Sequence, residues 1–135
     1  MYFWVEMEGY VEISSEVKIK VTPELISSET DPIENRYVFA YHIEIENKRF
    51  ETIQLIERHW IIHSGGRQIG EVFGPGVVGE QPILKPGDIY RYSSSAVIED
   101  PVGEMFGSYT FRSDAGEFFE ATIPRFDLVF LEYLN

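Results

Sequence analysis

The clearest β-strand pattern in this chain is Arg36-Tyr-Val-Phe-Ala-Tyr-His-Ile-Glu-Ile-Glu-Asn47. Its apolar residues recur at every second position, which is the spacing of a β-strand that buries one face. The alternation places on one face Tyr37, Phe39, Tyr41, Ile43 and Ile45, and on the other Val38, Ala40, His42, Glu44 and Glu46. The pattern predicts a core strand of a sheet.

Similar alternation recurs along the whole chain and predicts further strands. An early strand at residues 17–21 is expected to be interrupted or bulged by Pro23. The strand at residues 52–63 is expected to carry a bulge, because its apolar register shifts between Leu55 and Ile56. A tight turn follows at residues 64–67. The remaining strands are predicted at residues 68–73, 88–97, 103–112, 117–123 and 126–131, with Pro124 separating the last two.

This series of strands predicts an all-β fold. Seven to eight strands, with turns about every 8–12 residues, are typical of an antiparallel β-sandwich of the immunoglobulin or fibronectin type III kind. A small barrel is the alternative. Leu84-Lys-Pro-Gly-Asp-Ile-Tyr90 favours the sandwich, since similar segments enter a core strand of fibronectin type III domains. Residues 16–135 are assigned to one domain, and residues 1–15 to an N-terminal extension or edge strand.

The composition limits the classes of partner. The 135 residues suit one domain. The chain has no cysteine and therefore no disulfides, but its 44% of apolar residues is enough to form a core without them. A net charge of −12 argues against nucleic acid and anionic membranes, both of which are bound through Lys and Arg. The first residues resemble neither a signal peptide nor a membrane span, so we expect a cytoplasmic protein.

The segment Gly74-Pro-Gly-Val-Val-Gly79 fits G-x-G-x-x-G, the pattern of dinucleotide-binding loops. Those loops hold a pyrophosphate at the start of a helix, whereas Pro82 and Pro86 prevent a helix after this one. A weaker prediction remains, in which backbone N–H groups of Gly74, Gly76 and Gly79 bind a small anion, pyrophosphate or nucleotide. Its candidate supporting cations are Arg58, Arg67 and Lys85. The alternative is a connecting loop whose glycines serve positive φ angles or close packing.

The segment Arg58-His59-Trp60 allows two interpretations. Alternation puts Arg58 and Trp60 on one face and His59 on the other, so we expect Trp60 in the core. An exposed Trp60 would instead indicate a contact surface. His59 and His63 lie about 13 Å apart along a strand, too far to share a metal ion unless a bulge or turn brings them together. The sequence shows neither a metal-binding motif nor a catalytic constellation, so we expect no cofactor, no metal and no enzyme activity.

The motifs in their order resemble those of the ApaG proteins. The resemblance runs from about residue 16 to about residue 130. It is carried by Asp31-Pro32, Asn35-Arg-Tyr-Val-Phe-Ala-Tyr41, Arg58-His-Trp-Ile-Ile62, Gly76-Val-Val-Gly-Glu-Gln-Pro82, Leu84-x-Pro-Gly87, Gly103-x-Met-x-Gly-Ser-Tyr109 and Phe119-x-x-x-Ile-Pro-x-Phe126.

The resemblance implies a bacterial sandwich domain without an assigned enzyme activity. Similar domains in eukaryotes are attached to F-box proteins and to a polymerase-interacting protein, where they look like partner-binding modules. The family is also linked genetically to cobalt tolerance and magnesium efflux, which implies an accessory role in Co²⁺ and Mg²⁺ homeostasis as a further alternative.

The expected function is therefore non-catalytic binding of a protein partner. Open sandwiches offer sheet edges and outer faces for a peptide strand or a docked protein, and self-association through such edges is another alternative. The aromatic content also predicts some exposed rings, with five tyrosines as the candidates: Tyr10, Tyr90, Tyr92, Tyr109 and Tyr133.

Overall fold

A computed structural model describes residues 9–130, and within them the protein is a sandwich of two antiparallel sheets. The strands, in chain order, are β1 (Tyr10–Ser14), β2 (Val17–Leu25), β3 (Tyr37–Asn47), β4 (Ile53–Ser64), β5 (Arg67–Pro75), β6 (Ile83–Leu84), β7 (Ile89–Ile98), β8 (Val102–Ser113) and β9 (Phe118–Val129). The first sheet has the order β1-β2-β3-β7, and the second β5-β4-β8-β9 with β6 beside the start of β4. Two short 3₁₀ turns, Ser27–Glu29 and Pro32–Glu34, precede β3.

The alternation in β3 is confirmed by the structure. All five residues of the predicted inner face, from Tyr37 to Ile45, are at most 6% exposed. On the opposite face His42 is exposed and bonds to Ser93 and Glu24 at 2.6 and 2.9 Å. Val38, although on that second face, is also buried. Because β3 pairs with β2 and β7 along most of its length, it forms the centre of the first sheet.

The two prolines expected to break strands do not do so. β2 continues through Pro23, which pairs with Tyr41 without a shift of register. Proline lacks an N–H donor, and it is tolerated here because β1 pairs with β2 only as far as Val21. The strands predicted at residues 117–123 and 126–131 are a single strand, β9. Pro124 lies in a bulge of β9 where the pairing with β8 shifts register, so it does not separate two strands.

The bulge and the turn predicted around β4 are confirmed. The pairing of β4 with β8 passes from Leu55 to Glu57 with a register shift, so Ile56 is the extra residue. Gly65 and Gly66, with φ angles of 56° and 83°, form the two-residue connection to β5. Both positive φ values are those of a turn that matches the twist of paired strands.

The two long sides of the sandwich differ in how they are closed. On one side β1 covers the edge of β9: Ser14 Oγ accepts from the Thr122 N–H at 2.8 Å, and Ser15 Oγ donates to the Glu120 carbonyl at 2.7 Å. On the other side the outermost strands are β7 and β5, which belong to different sheets and are not paired. We call this second side the open side. The loop after β5 fills part of it.

Candidate functional site

The loop at residues 74–80 ends in a tight hairpin turn and not in a helix. The Val77 N–H donates to the Glu80 carbonyl at 2.8 Å, and the Glu80 N–H donates back to the Val77 carbonyl at 2.9 Å. The two residues between them, Val78 and Gly79, have φ angles of 43° and 82°. These are the left-handed values of a two-residue turn, in which glycine adopts the conformation without strain.

Gly76 is required by close packing of the backbone. Its φ angle is +61°, and a Cβ atom at this position would lie 2.1 Å from the Glu80 carbonyl oxygen. Its N–H donates to the Ile56 carbonyl of β4 at 2.8 Å. Any side chain would push the two arms of the loop apart, so the glycine here has a structural role of its own.

The close packing at Gly76 places the side chain of Val77 in the core. The residue is 0% exposed and belongs to the hydrophobic core, although it lies in a loop between strands. The turn therefore inserts a side chain between the two sheets at the open side. Alternation along strands cannot reveal such a residue; its one sequence signal is an apolar pair enclosed by glycines.

Of the three candidate supporting cations, the structure brings Arg58 to the loop. Its Nη1 donates to the carbonyls of Pro75 and Gly76, at 2.9 and 3.0 Å. The guanidinium also lies over Gly74, where a Cβ would be 3.3 Å from Nη1. The arginine therefore fixes the loop by binding its carbonyl oxygens.

The other two cations lie elsewhere. Arg67 starts β5 at the opposite end from the loop and pairs with Ser64. Lys85 lies in the turn before β7, where its N–H donates to Asp88 at 2.9 Å. Neither makes a hydrogen bond to the loop among the residues that the structure describes. Arg58 is thus the candidate cation that contacts two of the predicted glycines, Gly74 and Gly76.

The backbone donors of the loop are largely in use. The N–H groups of Gly76, Val77 and Glu80 all donate to carbonyl oxygens within the protein. An anion held by backbone donors needs several free N–H groups pointing at one place. This loop instead directs two carbonyls at Arg58. The geometry favours the connecting-loop interpretation of the glycine motif, and the anion-binding loop stays a prediction.

Behind the loop lies a cleft between the two sheets, with a volume of ≈ 160 Å³. Its walls are Tyr41, Arg58, Trp60, Val77, Val78, Tyr92 and Ser94. We call it the Arg58 cleft. Trp60 is 2% exposed and packs against Tyr41 with ring centroids 5.3 Å apart, so its expected place in the core is confirmed.

One tyrosine of the Arg58 cleft, Tyr92, bonds to a tyrosine behind it in the core. Tyr92 hydrogen-bonds through its hydroxyl to that of Tyr109, which is fully buried. Burial raises the pKa of Tyr41, Tyr92 and Tyr109 above the ordinary value for a phenol, because a phenolate would lose its hydration. These hydroxyls are therefore neutral at physiological pH and can donate hydrogen bonds.

Each of the three histidines bonds to an acidic side chain. His42 pairs with Glu24 at 2.9 Å, His59 with Glu71 at 2.7 Å and His63 with Glu104 at 3.1 Å. Within residues 9–130 there is no group of three or more His, Asp or Glu side chains that could hold a metal ion. Each histidine side chain therefore hydrogen-bonds to a different carboxylate.

The aromatic residues that the structure exposes are not the predicted tyrosines. Tyr10, Tyr90 and Tyr92 are half-buried and Tyr109 is buried, while Tyr133 lies outside the described residues. Three phenylalanines are exposed instead: Phe50 at 99%, Phe73 at 69% and Phe118 at 65%. Phe73 is the one on β5, beside the open side. No helix in the described part of the chain is long and apolar enough to cross a membrane.

The two sheets and the loop that closes them define a small antiparallel β-sandwich protein. Comparison with known proteins gives its family: residues 27–113 match the ApaG domain. The chain is 44% identical to Protein ApaG of Rhodospirillum centenum over 119 residues, covering 88% of this chain and 92% of the relative. It is 45% identical to Protein ApaG of Aromatoleum aromaticum, covering 88% and 94%.

A solved structure agrees with this assignment. The crystal structure of the putative ApaA protein from Bordetella pertussis superposes on this protein with a TM-score of 0.81 at 38% identity, covering 89% of this chain and 94% of that one. The protein belongs to the ApaG family, and the resemblance found in its motifs is confirmed.

Proposed function

We propose that this protein is a non-catalytic, cytoplasmic binding module that takes up an extended segment of a partner protein along β5. The observation that carries the proposal is the character of that strand. β5 is nine residues long and forms an edge of the second sheet. It exposes Phe73 at 69% and Ile69 and Val72 at 37% each. A long apolar edge strand is a template for a further strand.

The hydrogen bonds of β4 and β5 determine which backbone groups are free for such a strand. The Gly76 N–H donates to Ile56 of β4. In an antiparallel pair every second residue faces the same neighbour, so Gly74 and Val72 also face β4. Glu71 and Phe73 therefore direct their N–H and C=O groups away from β4. Pro75 faces away from β4 in the same way, but it has no N–H, so the row of free donors ends before it.

The charge of the protein indicates the chemistry of the partner. The chain carries a net charge of −12, and Glu71 lies on the binding strand itself. A segment with basic residues beside one aromatic or aliphatic side chain would complement both the field and Phe73. The partner segment we expect is therefore extended, basic and partly apolar.

The test is selection of ten-residue peptides from a displayed random library against the whole protein, followed by amide hydrogen exchange. We expect the selected peptides to be basic and extended and to protect the N–H groups of Glu71 and Phe73. The variant Glu71→Pro removes one outward N–H donor without removing a backbone hydrogen bond to β4, although it also removes the side-chain bond to His59. It should abolish binding, whereas Glu71→Gln, which keeps the backbone N–H, should not. Phe73→Ala should weaken binding by about tenfold, as loss of an aromatic anchor does.

The control is Phe118→Ala, since Phe118 is exposed to a similar degree on β9, whose edge β1 covers. Binding should be unchanged in this variant. Selected peptides that protect other strands, or bind Phe73→Ala as tightly as the unmodified protein, would contradict the proposal. Sedimentation of the protein alone measures whether a second copy uses the same edge, in which case Glu71→Pro would convert a dimer to a monomer.

The other two expected functions have less support from the geometry. Binding of pyrophosphate or a nucleotide at the glycine loop is supported by Arg58 alone, because three loop donors are already bonded. A role in Co²⁺ or Mg²⁺ homeostasis rests on the family resemblance, since the described residues show no cluster of metal ligands. Both are weaker proposals than strand addition at β5.

A further inference from the structure

We propose that the Arg58 cleft binds a small monocarboxylate with a compact apolar body. The site is separate from the free edge of β5, so the proposal does not depend on strand addition. The cleft opens on the open side, where β7 and the loop after β5 approach one another. Its walls combine one cation, three hydroxyl groups and an aromatic floor, which are the groups that recognise the two ends of such a ligand.

The charge state of Arg58 is the first argument. Three other arginines pair with glutamates: Arg49, Arg91 and Arg125. Arg58 is half-buried, yet among the described residues no carboxylate oxygen lies within 4.0 Å of its guanidinium. A partly buried cation without an acidic partner in a chain of net charge −12 favours a bound anion.

The free donors of Arg58 match a carboxylate. Nη1 is used by the carbonyls of Pro75 and Gly76, whereas Nε and Nη2 make no hydrogen bond within residues 9–130. This pair of nitrogens is the fork that binds a carboxylate through two parallel hydrogen bonds. The loop carbonyls hold the guanidinium in place, so little side-chain freedom is lost when a ligand binds.

The hydroxyl groups of the cleft add directed donors. Tyr41 lies opposite Ser94 in the pairing of β3 with β7, and both line the cleft together with Tyr92. Burial keeps the pKa of the two tyrosines above the ordinary value, so they stay protonated. Trp60 and Tyr41, 5.3 Å apart between centroids, supply the apolar surface.

The size of the cleft limits the ligand. Its ≈ 160 Å³ is close to the roughly 150 Å³ of an apolar cavity that accommodates benzene. A pyrophosphate would bring several negative charges to a single guanidinium in a strongly acidic protein, which the surrounding field opposes. A ligand with one carboxylate and a small aromatic or branched aliphatic body fits both the charge and the volume.

The experiment is an NMR titration of the isotopically labelled full chain with acetate, isobutyrate and benzoate. Benzamide is the neutral control for benzoate, and pyrophosphate the control for charge. We expect saturable shifts of the Trp60 indole N–H and the Arg58 Nε–H. Benzoate should bind at least about tenfold more tightly than benzamide, because a charged hydrogen bond is lost with the amide.

Variants separate the cleft from the rest of the surface. Arg58→Gln should weaken benzoate binding at least about tenfold, and Arg91→Gln, which changes a surface arginine paired with Glu44, should not. Tyr41→Phe removes one donor while preserving the ring, so it tests the site even if Arg58→Gln disturbs the loop. The absence of saturable shifts at Trp60 for all three carboxylates would overturn the proposal. Equal binding of benzamide and benzoate, or unchanged affinity in both Arg58→Gln and Tyr41→Phe, would overturn it as well.

Discussion

Replacing Gly76 by alanine distinguishes a structural role of this glycine from a role in ligand binding. The left-handed φ angle of +61° costs an alanine roughly 1–2 kcal/mol. The Cβ atom, 2.1 Å from the Glu80 carbonyl oxygen, then forces the loop open. Opening breaks the hydrogen bond to Ile56, about 1 kcal/mol, and withdraws Val77 from the core, up to about 1.5–3 kcal/mol. We expect Gly76→Ala to lower the free energy of unfolding by up to roughly 3.5–6 kcal/mol.

Gly79→Ala is the matched control within the same loop. Gly79 has a φ angle of +82°, but an added Cβ would meet nothing within 4 Å. Only the conformational strain applies, so the expected loss is roughly 1–2 kcal/mol. The assay is guanidinium unfolding followed by far-UV circular dichroism. The two variants should therefore differ by up to about 2.5–4 kcal/mol, the sum of the hydrogen-bond and burial losses.

A double mutant identifies the mechanism of the loss. If Gly76→Ala acts by withdrawing Val77, part of its cost is already present in Val77→Ala, and the two losses will not add. Equal stability of Gly76→Ala and Gly79→Ala would refute the reasoning, and so would full additivity with Val77→Ala. Loss of ligand binding with unchanged stability in Gly76→Ala would instead support the anion-binding loop.

Three further predictions concern the core and the second sheet. Tyr92→Phe leaves the fully buried Tyr109 hydroxyl without its partner, so it should lower the free energy of unfolding by about 1–3 kcal/mol in the same assay. The double variant with Tyr109→Phe should lose less, because no unpaired hydroxyl remains. Hydrogen bonding to Arg125 lowers the pKa of Glu104 below 4.5, so the charged carboxylate stabilises the fold above that pH. Glu104→Gln should lower the free energy of unfolding by up to about 1 kcal/mol at neutral pH, and the stability difference from the unmodified protein should disappear as the pH falls through the lowered pKa. Gly107→Ala would place a Cβ 1.9 Å from the carbonyl oxygen of His59, so it should separate β8 from β4 and lower the melting temperature by several degrees, as calorimetry would measure.

The structural role of the glycine motif shows the limit of pattern recognition. G-x-G-x-x-G describes spacing alone, and prolines after the motif excluded a helix at the sequence level. Where the glycines point depends on contacts with Ile56 and Glu80, of which Ile56 lies on a strand distant in sequence. The structure places Arg58 at the loop, where it binds carbonyl oxygens, whereas Arg67 and Lys85 lie elsewhere because the turns around β5 and β7 carry them away.

Strand assignments differ from the structure where proline matters. A proline stops a strand only if its missing N–H would have faced a neighbouring strand. Pro23 lies beyond the end of β1, and Pro124 lies in a bulge, so both strands continue. Local sequence does not contain this information, since it depends on which strands lie alongside.

The all-β class, the inner face of β3, the bulge in β4 and the turn at Gly65 and Gly66 can be predicted from the sequence because they follow from period-two alternation and from backbone conformations available mainly to glycine, which are local properties. The family follows from the order of several short motifs along the chain. Three other features depend on tertiary packing: Val77 enters the core, β5 remains a free edge, and Tyr41, Arg58 and Tyr92 share a cleft. Those features arise where segments far apart in the chain pack together, and a one-dimensional pattern does not specify the distance between such segments.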